Sequence, residues 1–358
     1  MTAVSILGAG HCGCAFVADL SHRDIDTLLY AHPQHSGNLD SIEAAGGLTS
    51  SLAPDSRVQP RLSTSMAEAL AFSRYLVVTV PAYGHMTIID ELAEFDLSRH
   101  VVICITGNFF SLVARGKLNA RAIIETSTSP YASRFDGGHV RITGIKKLLP
   151  VASLPVALDA TVRRDIEALF PMPLDWRDNV LEIGLSCVTG VIHPVPALMN
   201  AGWIETSGGN FYFYREGISA SVGKVAEQLD QERQGIARGF GLHTRSVVDI
   251  LNGFYGRSFT SFNEFASNSP EHNALHMAPD HMRHRFVSQD VPYVLVPWFE
   301  LGQQIGVDCS MIGSIIRLAS AVNNTDYLAQ GRNLRALGLE NVSRDDILAS
   351  VGAESAAL

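Results

Sequence analysis

Three glycines within six residues do most to limit what this chain can become. They are Gly8, Gly10 and Gly13 of SILGAGHCGCAF, directly after an apolar run and at the start of a helical pattern. The first glycine permits a tight turn from strand to helix. The second lets the backbone approach a bound group, and the third lets helix and strand pack closely. Free N–H groups and the positive end of the helix dipole then suit a pyrophosphate. The spacing alone is a weak signal, and a glycine turn with no ligand is the other reading. His11 and Cys12 lie in the same loop.

The downstream sequence supplies the context that the spacing needs. AVSILG (3–8), DTLLYA (26–31), YLVVTV (75–80), HVVICITG (100–107), RAIIETS (121–127) and HVRITGIKK (139–147) read as strands. SMAEALAFS (65–73) and MTIIDELAEF (86–95) read as helices between them. Alternating strands and helices predict a parallel sheet wound by crossover helices. Apolar runs without alternation suit strands buried on both faces.

From about Asn179 the pattern turns helical. SVGKVAEQLDQERQGIARGFG (221–241) predicts one amphipathic helix closed by glycine. Its Lys224/Gln228 and Asp230/Arg233 neighbours suggest a solvated face. VLVPWFELGQQIG (294–306) and CSMIGSIIRLASAVNN (309–324) predict further helices. The fold class is therefore α/β: a Rossmann-type doubly wound sheet in residues 1–178, then a mostly α-helical domain in 179–358. FPMPLDWRDN (170–179) is the expected loop-like link, and the tail VGAESAAL is expected to fray.

Hydrophobic residues make up 46 % and charged residues 18 %, enough for a substantial core and too apolar for wholesale disorder. A formal net charge of −9 argues against a nucleic-acid partner. The five cysteines form no CxxC pair, which suggests reduced thiols in a cytoplasmic protein. No signal peptide is evident, and no run of about 18 apolar residues is expected to span a membrane. His272, His276, His281 and His284 have no spacing that matches a metal motif, so no metal is expected.

The second strand should end in Asp or Glu if it grips the ribose 2′-hydroxyl of NAD. Here Tyr30, Ala31 and His32 occupy the place, and none is acidic. This favours NADP, with NAD as the alternative. His32 and His35 have a second reading as solvated loop residues. The nicotinamide is expected near the strand ends at Val80, Pro81, Gly107 and Thr126.

CVTGVIHPVPALMNAG (187–202) raises a separate question, because His193 stands among apolar neighbours that cannot satisfy a ring N–H. Hydride-transfer chemistry needs a proton source, and histidine commonly provides it. Pro194 would set His193 at a helix boundary, just past the domain seam, where a cleft is expected. A buried or capping histidine is the competing reading. In HMRHRFVSQDVPYVLVP (281–297), Asp290 could accept the ring N–H and Arg285 could hold a carboxylate. A surface basic run with a capping aspartate is the alternative there.

Taken together, ILGAGHCG, IIETSTSPYASR (123–134), VIHPVPALMNAG (191–202), FYREGISASVGKVAEQLDQER (213–233) and RFVSQD leading to VLVP give the chain a resemblance to the octopine/nopaline (opine) dehydrogenase family. The resemblance implies NAD(P)H-dependent reductive condensation of an α-keto acid, pyruvate or 2-oxoglutarate, with the amino group of an amino acid. It implies that His193 is the catalytic histidine, Asp290 its partner and Arg285 the carboxylate-binding arginine. Thr189 stands where the family often has Asn, and Ser133 where it often has Cys. Both are expected in the substrate region, as is Asn200. A homodimer through the helical domain is a further expectation. The rival readings are a simple keto-acid reductase of the ketopantoate reductase type and a non-catalytic NADP-binding sensor.

Overall fold

The computed structural model describes residues 3–274 and 278–352. The chain divides into two compact units, Met1–Val180 and Leu181–Leu358.

Among the described residues the first unit has twelve strands: β1 Val4–Leu7, β2 Thr27–Tyr30, β3 Leu48–Ser50, β4 Ala53–Val58, β5 Arg61–Ser63, β6 Tyr75–Val78, β7 Val101–Cys104, β8 Ala122–Thr126, β9 Tyr131–Asp136, β10 His139–Ile145, β11 Leu149–Leu154 and β12 Leu174–Trp176. Eight form one sheet in the order β12-β11-β8-β7-β6-β1-β2-β5. Neighbours in it run parallel except β8 and β11, which are antiparallel. Strands β1, β2, β6 and β7 are buried throughout, as strands covered on both faces must be. Two apolar clusters cover the two faces, one built on Val4, Ile6 and Phe16 and the other on Leu7, Val78 and Phe110. β1 lies between β2 and β6, so the strand order reverses at its C-terminal end, where ligands bind in folds of this kind.

Two expectations for this unit need correction. HVRITGIKK does not join the wound sheet. It forms β10, antiparallel to β9 in a separate four-stranded sheet of order β4-β3-β10-β9. The buried residues of β9 alternate with less buried ones, which is the pattern of a half-solvated sheet. FPMPLDWRDN is not all loop, because Leu174–Trp176 adds β12 to the edge of the large sheet. Its prolines lie before the strand, where no ladder donor is lost.

The second unit is helical. Its longest helix, Ala220–Gly239, is capped by the Ser219 side chain. Asp230 and Arg233 are not on a solvated face. Arg233 is 0 % exposed and Asp230 is 2 % exposed. Arg233 donates to Asp230 Oδ1 at 2.7 Å, to the Leu185 carbonyl at 2.6 Å and to the Arg245 carbonyl at 2.6 Å. Asp230 also accepts the Val247 N–H at 2.9 Å. The i,i+3 spacing holds on both faces of a helix, so it cannot reveal that this pair faces inward. Val351, expected to fray, is buried at the end of helix Arg344–Val351, and residues 353–358 lie outside the described residues.

One stretch of the described residues, Val180–Met199, is long and apolar enough to cross a membrane by length and composition, contrary to expectation. It is three short helices, Val180–Leu185, Thr189–Ile192 and Pro194–Met199, and 78 % of it is buried.

Removing Arg233 would strand a buried carboxylate and two carbonyls. Arg233→Ala should cost about 3–5 kcal/mol in urea unfolding. A loss below about 1 kcal/mol would show that the pair does not hold these helices together.

Candidate active site

His193 and Asp290 are 97 residues apart and meet within the helical unit. His193 is the hinge between helices Thr189–Ile192 and Pro194–Met199. Proline in the first turn of the second helix loses no hydrogen bond, because that N–H would be orphaned anyway. Asp290 immediately precedes a wide π turn, Val291–Leu295, which contains Pro292. The two segments approach closely because position 190 is glycine. A Cβ there would come within 2.8 Å of Val294 Cγ1 and 2.9 Å of the Trp298 ring.

Both groups are nearly sealed, His193 at 9 % and Asp290 at 3 % exposure. His193 Nδ1–H donates to Asp290 Oδ2 at 2.6 Å. An ionised carboxylate has no proton to give, so this contact places the ring proton on Nδ1. Thr189 Oγ1–H donates to the other carboxylate oxygen at 3.2 Å. Phe286 stacks on the imidazole with centroids 3.9 Å apart and planes 12° from parallel. The remaining nitrogen, Nε2, lies 3.1 Å from the Tyr214 hydroxyl. With Nδ1 protonated, the neutral ring offers a lone pair at Nε2, and Tyr214 O–H donates to it. Cys187 beside Thr189 stays a neutral thiol, because burial pushes it up to about 11.

Arg285 opens the short helix Arg285–Ser288 and is exposed. Among the described residues no carboxylate pairs with it, so its planar fork is open to a carboxylate ligand. His284 caps this helix by accepting the Phe286 N–H at 3.3 Å. Burial first, then the charges of Arg285 and His193, press His284 down to about 4.

At the glycine turn, a Cβ on Gly13 would collide with the Gly8 carbonyl, and Gly8 itself has φ +127°. A Cβ on Gly10 would meet nothing within 4 Å, which leaves backbone open to an incoming group. Gly10 heads helix His11–His22 with no side-chain cap. These features fit the pyrophosphate of a nicotinamide dinucleotide. The turn is braced from outside. Thr79 Oγ1 donates to the Gly8 carbonyl at 2.8 Å. The Ser133 hydroxyl donates to the His11 carbonyl at 3.1 Å, and His11 Nδ1 accepts the Phe135 N–H at 2.9 Å.

The structure redistributes several expected contacts. Ser133 spends its hydroxyl on the glycine turn. Asn200 donates its amide to the Pro196 and Gly217 carbonyls, both at 2.8 Å, and ties the end of helix Pro194–Met199 to the turn at Gly217. Thr189 supports the aspartate. Thr126 is 0 % exposed, and its hydroxyl accepts from Thr106 N–H at 3.0 Å and donates to the Thr128 carbonyl at 2.8 Å. It therefore shapes the adjacent turn, in which Thr106, Asn108 and Phe109 all have positive φ. A Cβ on Gly107 would strike the buried Glu125 carboxylate, which explains the glycine without a ligand. Val80 and Pro81 remain partly exposed at the end of β6. Tyr30 is buried, with its hydroxyl donating to Glu91 at 2.9 Å, and His32 pairs with the same carboxylate at 3.2 Å. The carboxylate missing from the end of β2 thus arrives from helix His85–Leu92.

Tyr214, Phe286 and Thr79 are the site residues that sequence reasoning missed. Tyr214 lies in the motif FYREGISASVGKVAEQLDQER, but nothing local to it points its hydroxyl at His193. Among the described residues no three His, Cys, Asp or Glu side chains cluster to hold a metal. His272 packs against Tyr214, Tyr255 and Phe265. His276 lies outside the described residues.

A family model described as NAD/NADP octopine/nopaline dehydrogenase, alpha-helical domain, matches residues 176–323. Protein ocs of Agrobacterium tumefaciens (strain Ach5) is 31 % identical, covering 97 % of this chain and 98 % of that protein. An opine dehydrogenase of Arthrobacter sp. (strain 1C) is 30 % identical over the same shares of each. Among solved structures, an octopine dehydrogenase in complex with NADH and agmatine matches with a TM-score of 0.76 over 100 % of both chains. Its identity is 15 %, so that likeness speaks for the fold alone.

The depressed His284 gives a signed pH effect. The unfolded chain binds this proton near pH 6.5 and the folded chain only near 4. Stability should therefore fall as pH drops from about 6.5 toward 4, with no contribution from His284 above that window. His284→Asn should flatten the slope of urea midpoint against pH there. Identical slopes for the two proteins would refute the assignment.

Proposed function

This chain belongs to the NAD/NADP octopine/nopaline dehydrogenase family, and we propose that His193, Asp290 and Arg285 are the groups through which it works. It is an NAD(P)H-dependent oxidoreductase acting on CH–NH bonds. Its reaction joins an α-keto acid to the amino group of an amino acid by reductive condensation, and runs in reverse as an oxidation. The observation that carries the residue assignment is the sealed 2.6 Å contact between His193 Nδ1 and Asp290.

In this scheme Arg285 grips the carboxylate of the keto acid with its fork. Asp290 fixes the ring and stabilises it when protonated. His193 acts from the Nε2 edge on the carbonyl oxygen. The amine adds to the carbonyl carbon, and His193 supplies the proton with which that oxygen leaves as water. An iminium results. Reduced nicotinamide, when bound at the glycine turn, supplies a hydride to it. The product is a secondary amine bearing two carboxylates. In the reverse direction His193 takes up the proton.

NADPH is the proposed reductant, with NADH the alternative. No acidic side chain ends β2, which supports NADPH, while Glu91 beside His32 opposes a 2′-phosphate. Pyruvate and 2-oxoglutarate are the proposed keto acids. A cytoplasmic location is part of the same proposal, supported by five free cysteines. Lys224 is exposed on its helix, an unfavourable place for the catalytic lysine of a simple keto-acid reductase.

NADPH oxidation should require both a keto acid and an amino acid, and repeating the assay with NADH ranks the cofactors. Oxidation by keto acid alone would move the protein to the simple reductases, and none with any pair would favour a sensor. His193→Ala should lower the rate on the order of 10²–10⁴ with cofactor affinity kept. Arg285→Ala should raise the keto-acid KM about 10- to 100-fold. Loss of NADPH affinity in His193→Ala would make the histidine structural.

A homodimer is proposed through helix Ser310–Asn323, where Leu318 and Val322 expose an apolar i,i+4 pair at 55 % and 46 %. Sedimentation should give twice the chain mass, and Leu318→Glu should give monomers. A monomeric wild type at micromolar concentration would exclude it.

A further inference from the structure

Nδ1 of His193 is committed to Asp290, so only Nε2 can exchange a proton with a substrate. Yet Nε2 already faces the Tyr214 hydroxyl at 3.1 Å. A substrate oxygen must therefore displace that hydroxyl or act through it.

The surroundings argue against displacement. The imidazole is held by Asp290 on one edge and by the Phe286 stack on one face, so it cannot turn toward another partner. Tyr214 is held as well. Its ring stands edge-on to His272 at 4.8 Å and to Phe213 at 5.2 Å. His272 is in turn fixed, its Nδ1 lying 2.9 Å from Ser269 Oγ. Exposure points the same way, because His193 is buried while Tyr214 is half-buried. A phenol O–H can release its proton as it accepts another.

We infer that Tyr214 is a further catalytic residue, relaying the proton between His193 and the reacting oxygen. This rests on the reading of His193 as the acid–base group. The step balances without redox change. Protonated His193 gives its Nε2 proton to the Tyr214 oxygen, while the Tyr214 proton passes to the carbinolamine hydroxyl. The C–O bond breaks, water leaves and the iminium forms. Tyr214 ends neutral, as it began, and the ring has lost one proton. Asp290 remains a carboxylate throughout. The other ionisable groups around the pair include His272, edge-on to Tyr214, and His284, which interacts electrostatically with His193 and with Arg285.

The test is Tyr214→Phe in the full chain, which removes one oxygen and keeps the ring contacts. The expected result is a fall in kcat of about 10- to 100-fold, short of the full general-acid effect because water can substitute. The keto-acid KM and the NADPH affinity should stay within about threefold of wild type. A second protein carries 3,5-difluorotyrosine at position 214, which retains ring and hydroxyl but makes the hydroxyl more acidic. Because it keeps the hydroxyl, this protein should recover most of the wild-type kcat. Unchanged kcat in Tyr214→Phe, or a fluorinated protein as slow as Tyr214→Phe, overturns the relay. A defect confined to the amino-acid KM also overturns it and makes Tyr214 a binding residue. A wild type inactive with every amine and keto-acid pair brings down the reading of the site and the relay together. An active wild type with an indifferent Tyr214→Phe sinks only the relay.

Discussion

The buried guanidinium of Arg233 is the contact on which the helical unit depends. It joins three pieces of chain: its own helix, the carbonyl of Leu185, and the carbonyl of Arg245. A charge without water must find its partners in the protein. Asp230 provides the countercharge and at the same time takes the Val247 N–H that begins the next helix. Leu185 ends the helix from which the chain runs on to His193, so the anchoring reaches the candidate site through eight residues. Trp298 pins the same helix by donating to the Gly184 carbonyl at 3.1 Å.

The candidate site follows a common logic of support. Asp290 holds His193, Thr189 holds Asp290, and Gly190 gives up its side chain so that the two segments can touch. At the glycine turn, Thr79 and Ser133 hold backbone carbonyls while Gly10 keeps its outer side bare. In both places polar side chains far apart in sequence hold a candidate functional group or turn in place. That pre-organisation is what a catalytic constellation requires.

Much of this was legible in the chain. Gly8, Gly10 and Gly13 announced the wound sheet because each glycine answers a steric demand of the turn. His193, Asp290 and Arg285 were legible from their motifs, and the structure brings the first two into contact. Other features had no local signature. The inward direction of Asp230 and Arg233 depends on the packing of three helices. Thr126 and Tyr30 sit at strand ends, where a ligand is expected, but their hydroxyls are taken up by the adjacent turn and by Glu91. Glu91 reaches the end of β2 from a helix about sixty residues on, which no reading of β2 itself could supply. Small antiparallel strands such as β9 were lost among loop residues because their alternation is short.

The apolar stretch Val180–Met199 has a consequence for synthesis. Its cover includes Arg233 and Trp298, which bond to Leu185 and Gly184. Trp298 is translated 99 residues after Met199 (298 − 199). At cellular elongation rates of about 5–20 residues per second, that is a delay of roughly 5–20 s. Until helix Ala220–Gly239 and then Trp298 have emerged, the nascent chain carries a segment with the composition of a membrane helix whose cover is incomplete. The distance in sequence between the segment and the last residue of its cover therefore also sets how long the ribosome-bound chain needs protection.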